Sequence, residues 1–279
     1  MILTEFAPAK INLFLSIINK REDGYHDIGT MFHTLNCGDR LFGERDSSGE
    51  ISISYNNLQE YSPEKDLVCR AAEKLKEKLM ISSGVRFYLE KNLPLGAGLG
   101  GGSSDAAAAL RLLNKLWGLR SSSEELEEIG ASLGADIAFF VKGGAALATG
   151  IGNILTPQNT IESDCCIVLA TPKCTVPTAD AYKDVIPAGS LPWQNFLKST
   201  NPLDNLYNQF EETVLEKYPL INFLKQKLND CGGNSLLSGS GSSVFSLFYS
   251  LENAVEAYEK VKNECRFLRI TSFSPKNYF

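Results

Sequence analysis

Apolar residues recur along the chain with two different periods. "KINLFLSIIN" (Lys10 to Asn19) is dense in β-branched and aromatic residues and reads as a strand. "REDGYHDIGT" then carries turn signals, and "MFHTLNCGDRLFGE" and "EISISYN" read as further short strands. In "EKDLVCRAAEKLKEKLM", Leu67, Ala71, Leu75 and Leu79 return at helical spacing with charges opposite. "GVRFYLEKNLP" alternates as a strand running into Pro94. "DAAAALRLLNKLWGL" sets Leu110, Leu113 and Trp117 on one helical face, and "SSSEELEEIGASLG" opens with N-cap serines and early glutamates, a helix start. "DIAFFVKGGAALATGIG" predicts a buried segment and a hairpin.

The pattern loosens between Ile151 and Ser163, around "TPQNTIES". A domain boundary is expected there, dividing the chain into 1–157 and 158–279. "CCIVLATP" opens the second half as a strand, and "NPLDNLYNQFEETVLEKYPLINFLKQKLNDCG" supplies two helices. "SLLSGSGSSVFSLF" is a turn feeding a strand, "ENAVEAYEKVKNE" an amphipathic helix and "FLRITSF" a last strand. Mixed strands and helices in both halves make the class α+β or α/β.

Composition narrows this picture. Of 279 residues, 43% are hydrophobic and 22% charged, as expected for a soluble globular protein. The formal net charge of -6 argues against general affinity for nucleic acid or anionic membrane, while leaving room for a local anion pocket. The seven cysteines are odd in number and lack C-x-x-C spacing, which predicts reduced thiols in a cytosol rather than a disulfide framework or zinc site. The two histidines, His26 and His33, are too few for most histidine metal sites. "MILTEFAPAK" has no signal-peptide pattern, and no apolar run reaches the roughly 20 residues of a membrane span.

The stretch with most chemistry is "PLGAGLGGGSSDAAAA", Pro94 to Ala109. Glycine lets a ligand touch the main chain, and a helix start adds partial positive charge. Strand, glycine turn, Ser103-Ser104 and helix together predict a phosphate cradle; a mobile loop before a tightly packed alanine helix is the alternative. No lysine follows the glycines, so G-x-x-x-x-G-K-[ST] fails. G-x-G-x-x-G is met by Gly96, Gly98 and Gly101, but the acidic residues some 20 positions on, Glu124 and Glu125, fall in a predicted helix rather than at a strand end. H-R-D and D-F-G are both absent, which removes the protein kinases.

"PLGAGLGGGSSDAAAAL" resembles the second motif of the GHMP kinases, which include galactokinase, homoserine kinase and mevalonate kinase. "APAKINLFLSI", "REDGYHDIGTMFHTL", "LGADIAFFVKGGAALATGIGNILTP" and "LLSGSGSSVFSLF" resemble further motifs in the right order, over nearly the whole chain. The resemblance implies an α+β, two-domain fold: a ribosomal-protein-S5-like N-terminal domain and a ferredoxin-like C-terminal domain, with the site between them. "GYHDIGTMF" narrows the implied activity to ATP-dependent phosphorylation of the 2-hydroxyl of 4-diphosphocytidyl-2-C-methyl-D-erythritol, in the non-mevalonate route to isoprenoid precursors. A homoserine- or mevalonate-type kinase is the alternative. ATP with Mg2+ is implied, and small-molecule partners rather than nucleic acid or membrane. The chain is expected to be cytoplasmic, as a monomer or weak homodimer.

The same resemblance implies residue roles. Phosphate binding falls to Pro94, Leu95, Gly96, Ala97, Gly98, Leu99, Gly100, Gly101, Gly102, Ser103 and Ser104. Lys10, read alone as either an edge charge or a functional ammonium, becomes an active-site lysine. Asp136, read alone as a turn or N-cap aspartate or a base, becomes the general base, and the two are expected to pair. Asn12 shares a strand face with Lys10 and would contact substrate. Tyr25 and His26 would hold a cytosine, Tyr182 would sandwich it from the other side, and Thr178 would touch substrate. Gly239, Ser240 and Gly241 form a second glycine turn expected against the site. Lys91 is open between a nucleotide contact and a solvated strand lysine. Asp66 departs from the asparagine frequent in the family and lies near the expected adenosine. Ser104 is a candidate metal ligand without an evident carboxylate partner, so no metal site is assigned.

Overall fold

Pro8, which lacks an N–H, interrupts a long antiparallel ladder and opens the fold's first irregularity. In the computed structural model, which describes residues 1–56, 66–274 and 277–278, strand β1 (Ile2–Lys20) pairs with β2 (His26–Asp46) over nearly its whole length. Bulges fall at Pro8/Lys10, Asn12/Phe14 and Ile17/Asn19. The short strands read from the sequence thus run together into two long ones. β3 (Ile51–Tyr55) follows, then α1 (Leu67–Lys78) and β4 (Gly84–Glu90). Glu64 and Lys65, at the head of the predicted helical repeat, lie outside the described residues. Asp66 is the N-cap of α1.

Helices α2 (Gly101–Leu116), α3 (Ser123–Leu133) and α4 (Ala135–Lys142) come next. Ser122 and Glu125 form the capping box anticipated at the start of α3. β5 (Ala145–Thr149) and β6 (Ile154–Gln158) make the predicted hairpin. The second half comprises β7 (Cys166–Pro172), α5 (Thr178–Lys183), α6 (Leu191–Leu197), β8 (Tyr207–Asn208), α7 (Glu211–Lys217), α8 (Pro219–Asp230), β9 (Asn234–Leu237), β10 (Val244–Phe248), α9 (Leu251–Val261) and β11 (Cys265–Thr271).

Among the described residues these strands form two sheets. One runs β3-β4-β2-β1-β8, with β5 on β2 and β6 on β5; the other runs β11-β7-β10-β9. The layers are helices, sheet, sheet, helices. Alanines 106–109 let α2 lie close to the first sheet, where α1, α3 and α4 join it around Leu41, Phe87 and Phe140. Ile11, Leu13 and Phe14 face the second sheet, meeting Ile167, Leu169 and Phe245. Leu224, Leu228, Ala254 and Val261 of α8 and α9 cover its far side. The division is not clean, because β8 from the second half joins the first sheet beside Phe14 and Leu15.

Strand alternation positions the site. Ile11 and Leu13 enter the inter-sheet core, so Lys10 and Asn12 turn to the opposite face. β2 is flanked by β5 at Thr30–His33 and by β4 at Arg40–Asp46. The stretch between, opposite Lys10, is paired on that side with the C-terminal segment, through an antiparallel bridge of Leu35 to Phe273. Among those residues no helix is long and apolar enough to cross a membrane.

Candidate active site

The glycine loop is anchored by the side chains it retains. Ala97 and Leu99 are buried in the inter-sheet core, while Gly96, Gly98 and Gly100 adopt left-handed φ of 59°, 79° and 70°. Two glycines are sterically required. A Cβ on Gly98 would lie 2.0 Å from the Ser238 carbonyl oxygen, and one on Gly100 would lie 2.7 Å from the Phe140 ring. A Cβ on Gly96 would meet nothing within 4 Å, so bare backbone faces open space there. Pro94 is half-buried and Leu95 exposed at the loop's entry.

Helix α2 begins at Gly101, two residues before the serines expected to open it. Gly100 is its N-cap and no side chain caps it, so its first-turn N–H groups stay available to an anion. Gly101, Gly102 and Ser103 lie in this turn, half-buried. The Ser104 N–H is satisfied by the Gly100 carbonyl, but its buried hydroxyl has no partner among the described residues.

Lys10 reaches this loop through its own backbone, its N–H donating to the Leu99 carbonyl at 3.0 Å. Its side chain is 6% exposed, which excludes the solvated edge charge. The ammonium donates to Asn12 Oδ1 at 2.7 Å, lies 5.1 Å from the Phe32 ring centroid and stands 3.9 Å from Asp136 Oδ2. Burial lowers the lysine's pKa, and Asp136 pulls it partly back. Asn12 is equally enclosed, donating to Thr30 Oγ1 at 2.8 Å, while Thr30 donates to the Phe14 carbonyl. Asp136 is one-third exposed, in the first turn of α4.

The second glycine turn closes over these groups. Gly239 lies so near that a Cβ there would stand 3.4 Å from both Lys10 Nζ and Asn12 Oδ1. Ser238 Oγ donates to the Gly98 carbonyl, the Ser243 N–H to the Ala97 carbonyl, and Asn208 Nδ2 to the Leu237 and Gly239 carbonyls. Ser240 meets Thr178 hydroxyl to hydroxyl at 3.3 Å.

Beside Asp136 opens a cavity of about 820 Å³, lined by Tyr25, His26, Gly134, Ala135, Thr178 and Tyr182. Its size suits a nucleoside-sized ligand. The rings are arranged differently from expectation. His26 and Tyr182 stack on each other, centroids 5.0 Å apart, and Tyr182 meets Phe210 edge-on. That leaves no slot for a base between His26 and Tyr182. Tyr25, 62% exposed, stands free at the rim. Burial, with Asp136 adding to it, pushes the Tyr182 hydroxyl up to about 12, so it stays a neutral donor. Burial and Lys20 keep His26 on the neutral side.

One other expectation is corrected, and Asp66 is given a structural role. Lys91 is neither solvated nor free for a nucleotide: it is 6% exposed and ion-paired with both Asp39 and Asp105. Asp66 is occupied by capping α1, accepting from the Val68 and Cys69 N–H groups and from the Tyr55 hydroxyl. Thr30, Phe32 and Asn208, which hold the site together, carry no sequence signal beyond strand propensity and an apolar neighbourhood.

Comparison with known proteins gives a consistent answer. The family profile described as GHMP kinases N terminal domain matches residues 66–144, and that described as GHMP kinases C terminal matches 195–266. The chain is 38% identical over 263 residues to the 4-diphosphocytidyl-2-C-methyl-D-erythritol kinase of Alkaliphilus oremlandii, covering 90% of this chain and 89% of that one. It is 38% identical to the enzyme of the same name from Exiguobacterium sibiricum, over 98% of both. A solved 4-(cytidine 5'-diphospho)-2C-methyl-D-erythritol kinase superposes with a TM-score of 0.81 at 31% identity, covering 98% of this chain and 99% of that one. Homoserine kinase from Cytophaga hutchinsonii, at 20% identity and a TM-score of 0.74 over 99% of this chain and 95% of that one, shares the fold.

Proposed function

The chain belongs to the GHMP kinase family, and we propose that it transfers the γ-phosphoryl group of ATP to the 2-hydroxyl of 4-diphosphocytidyl-2-C-methyl-D-erythritol, giving the 2-phosphate and ADP. The observation that carries this reading is the Lys10–Asp136 pair, set between a capless glycine loop and an aromatic-lined cavity. Phosphoryl transfer asks mainly for positioning and charge stabilisation. The first-turn N–H groups of α2 and the bare loop backbone hold the phosphates. Asp136, within reach of both cavity and lysine, takes the hydroxyl proton as the bond to phosphorus forms. Lys10 stabilises the transferring oxygens; Asn12 and Thr30 fix its direction.

The cytidine end occupies the cavity, held by Tyr25, His26, Tyr182 and Thr178. A base stacks there on the exposed Tyr25, or on His26 and Tyr182 once those rings part. No group of three or more His, Cys, Asp or Glu suited to a metal exists among the described residues. Magnesium would arrive on the nucleotide's phosphates, where the unpartnered Ser104 hydroxyl would be a donor to it. Bound there, Mg2+ neutralises phosphate charge. This reading takes the enzyme to be cytosolic, acting on small molecules as a monomer or weak homodimer; the odd number of unpaired-spacing cysteines and the net charge of -6 support it.

The test is coupled ADP release with the cytidylyl substrate beside homoserine and mevalonate. Turnover with the first alone is expected. Turnover only with homoserine or mevalonate overturns the assignment.

A further inference from the structure

We propose that a cavity walled by Arg40 and Arg269, on the face of the first sheet turned away from α2, is a second ligand site, which takes a small phosphate monoester with a compact apolar body. It stands apart from the glycine loop and from the cavity beside Asp136, and no step of the phosphoryl transfer uses it.

Strand alternation puts it there. Ala7 of β1 and Leu41 of β2 pack in the core that α2 covers, and Glu5 pairs with Arg111 of that helix. Phe6 and Arg40, partners across the same ladder, therefore point to the opposite face. The first turn of α2, where phosphates of a nucleotide would sit, is on the other side of the sheet. Phe267 and Arg269 of β11 close the cavity from the second half of the chain. Its volume of about 370 Å³ suits a small metabolite.

The two guanidiniums are idle. Neither makes an ion pair or a side-chain hydrogen bond among the described residues. A shortage of acids is not the reason, since the chain has 33 Asp and Glu against 27 Lys and Arg. Nor is distance along the sheet, since Glu90 is the partner of Arg40 across the β2–β4 ladder and lines the same cavity. Further back on the same two strands, Arg86 is bonded to both Glu44 and Asp46. Arg86 is thus satisfied by its own protein, whereas Arg40 keeps its donors for another acceptor.

The remaining walls add little charge. Asn36 and Asn92 are amides, and burial pushes the Cys37 thiol up to about 11, so it stays neutral. Asp39, next to Arg40 in sequence, turns away to pair with Lys91. Among the described residues, the charged groups lining the cavity are two fixed cations and Glu90. This balance selects the ligand. A carboxylate brings one negative charge and would compete with Glu90 on equal terms. A phosphate monoester brings nearly two at pH 7, and its three oxygens can accept from two guanidinium forks on separate strands. The rings of Phe6 and Phe267 offer an apolar wall to the body of the ester.

The test is calorimetry with phenyl phosphate, which joins a phosphate monoester to one ring, added to the enzyme with and without saturating ADP. Millimolar or tighter binding, undiminished by ADP, is expected, and benzoate should bind several-fold more weakly. R40Q and R269Q should each weaken phenyl phosphate by about tenfold, and E90Q should tighten it by about threefold. Both arginines are exposed, so these variants should fold and bind ADP as wild type does. No binding of phenyl phosphate at millimolar concentration overturns the site. Displacement by ADP overturns it as well, by placing the ligand in the glycine loop. Unchanged affinity in R40Q and R269Q does the same, by placing the ligand in the cavity beside Asp136 or elsewhere. Benzoate binding as tightly as phenyl phosphate overturns the choice of a monoester.

Discussion

Acidification should unfasten one identifiable staple between the two halves of the molecule. His33 is fully buried in β2, and its ring lies 4.6 Å from that of Phe273. Its Nε2 sits 2.9 Å from the Ile161 N–H, in the segment joining β6 to β7, and its Nδ1 lies 2.8 Å from the Thr34 carbonyl. An amide N–H only donates and a carbonyl only accepts, so Nδ1 carries the proton and Nε2 is the acceptor. A second proton would set one N–H against another. Burial accordingly lowers His33 from 6.5 to about 4. Because the unfolded chain takes up a proton that the folded chain refuses, stability is full well above pH 6.5, falls with pH, and levels off below pH 4. With these two values, the linkage relation gives a loss of about 2 kcal/mol between pH 7 and pH 5, and a ceiling of about 3.4 kcal/mol.

The assay is urea unfolding of wild type and His33→Gln at both pH values. Glutamine can accept from Ile161 and donate to Thr34 but does not titrate. Other groups, including His26, titrate in both proteins and cancel in the comparison. Wild type should lose about 2 kcal/mol more than the variant. An equal loss in the two proteins refutes the reasoning, as does an NMR titration of His33 with a midpoint near 6.5.

Three further outcomes are expected. Asp136→Asn should lower kcat by about 10²–10⁴-fold while ATP binding, measured by calorimetry, persists; substantial turnover would remove Asp136 as base. Gly98→Ala places a methyl 2.0 Å from the Ser238 carbonyl at a φ of 79°, strain of about 1–3 kcal/mol, so the ATP KM should rise about tenfold or more; an unchanged KM would show that the loop moves freely away from Ser238. Asp66→Ala should destabilise the protein by about 1 kcal/mol in urea unfolding, whereas Asp66→Asn should stay within a few tenths, since both acid and amide cap helices.

How far the site could be read in advance depended on where each residue's partners lie. The glycine loop was legible because its chemistry is local, a run of bare backbone before a helix; Lys10 and Asp136, read alone, stayed open between a structural and a functional role, and only the family resemblance set them together. Asn12 followed from strand alternation. Strand lengths were not legible, since the turn-rich composition around Gly38 conceals a strand that continues through the bulge opposite it. The destination of Lys91 was hidden because its partners lie 52 and 14 positions away, and a charged residue beside a turn resembles a solvated one. The stacking of His26 on Tyr182 was hidden for the same reason: it is a contact between halves. Asp66 caps α1, a role that asparagine would fill as well.

The brace that Ser238 and Ser243 place on the glycine loop also has a meaning in time. Ser238 grips Gly98 from 140 positions further along the chain. During synthesis, the loop leaves the ribosome long before its brace exists. The glycine loop therefore reaches its final shape only after Ser238 and Ser243 have been made, and a chain that stops before them carries the loop without its brace.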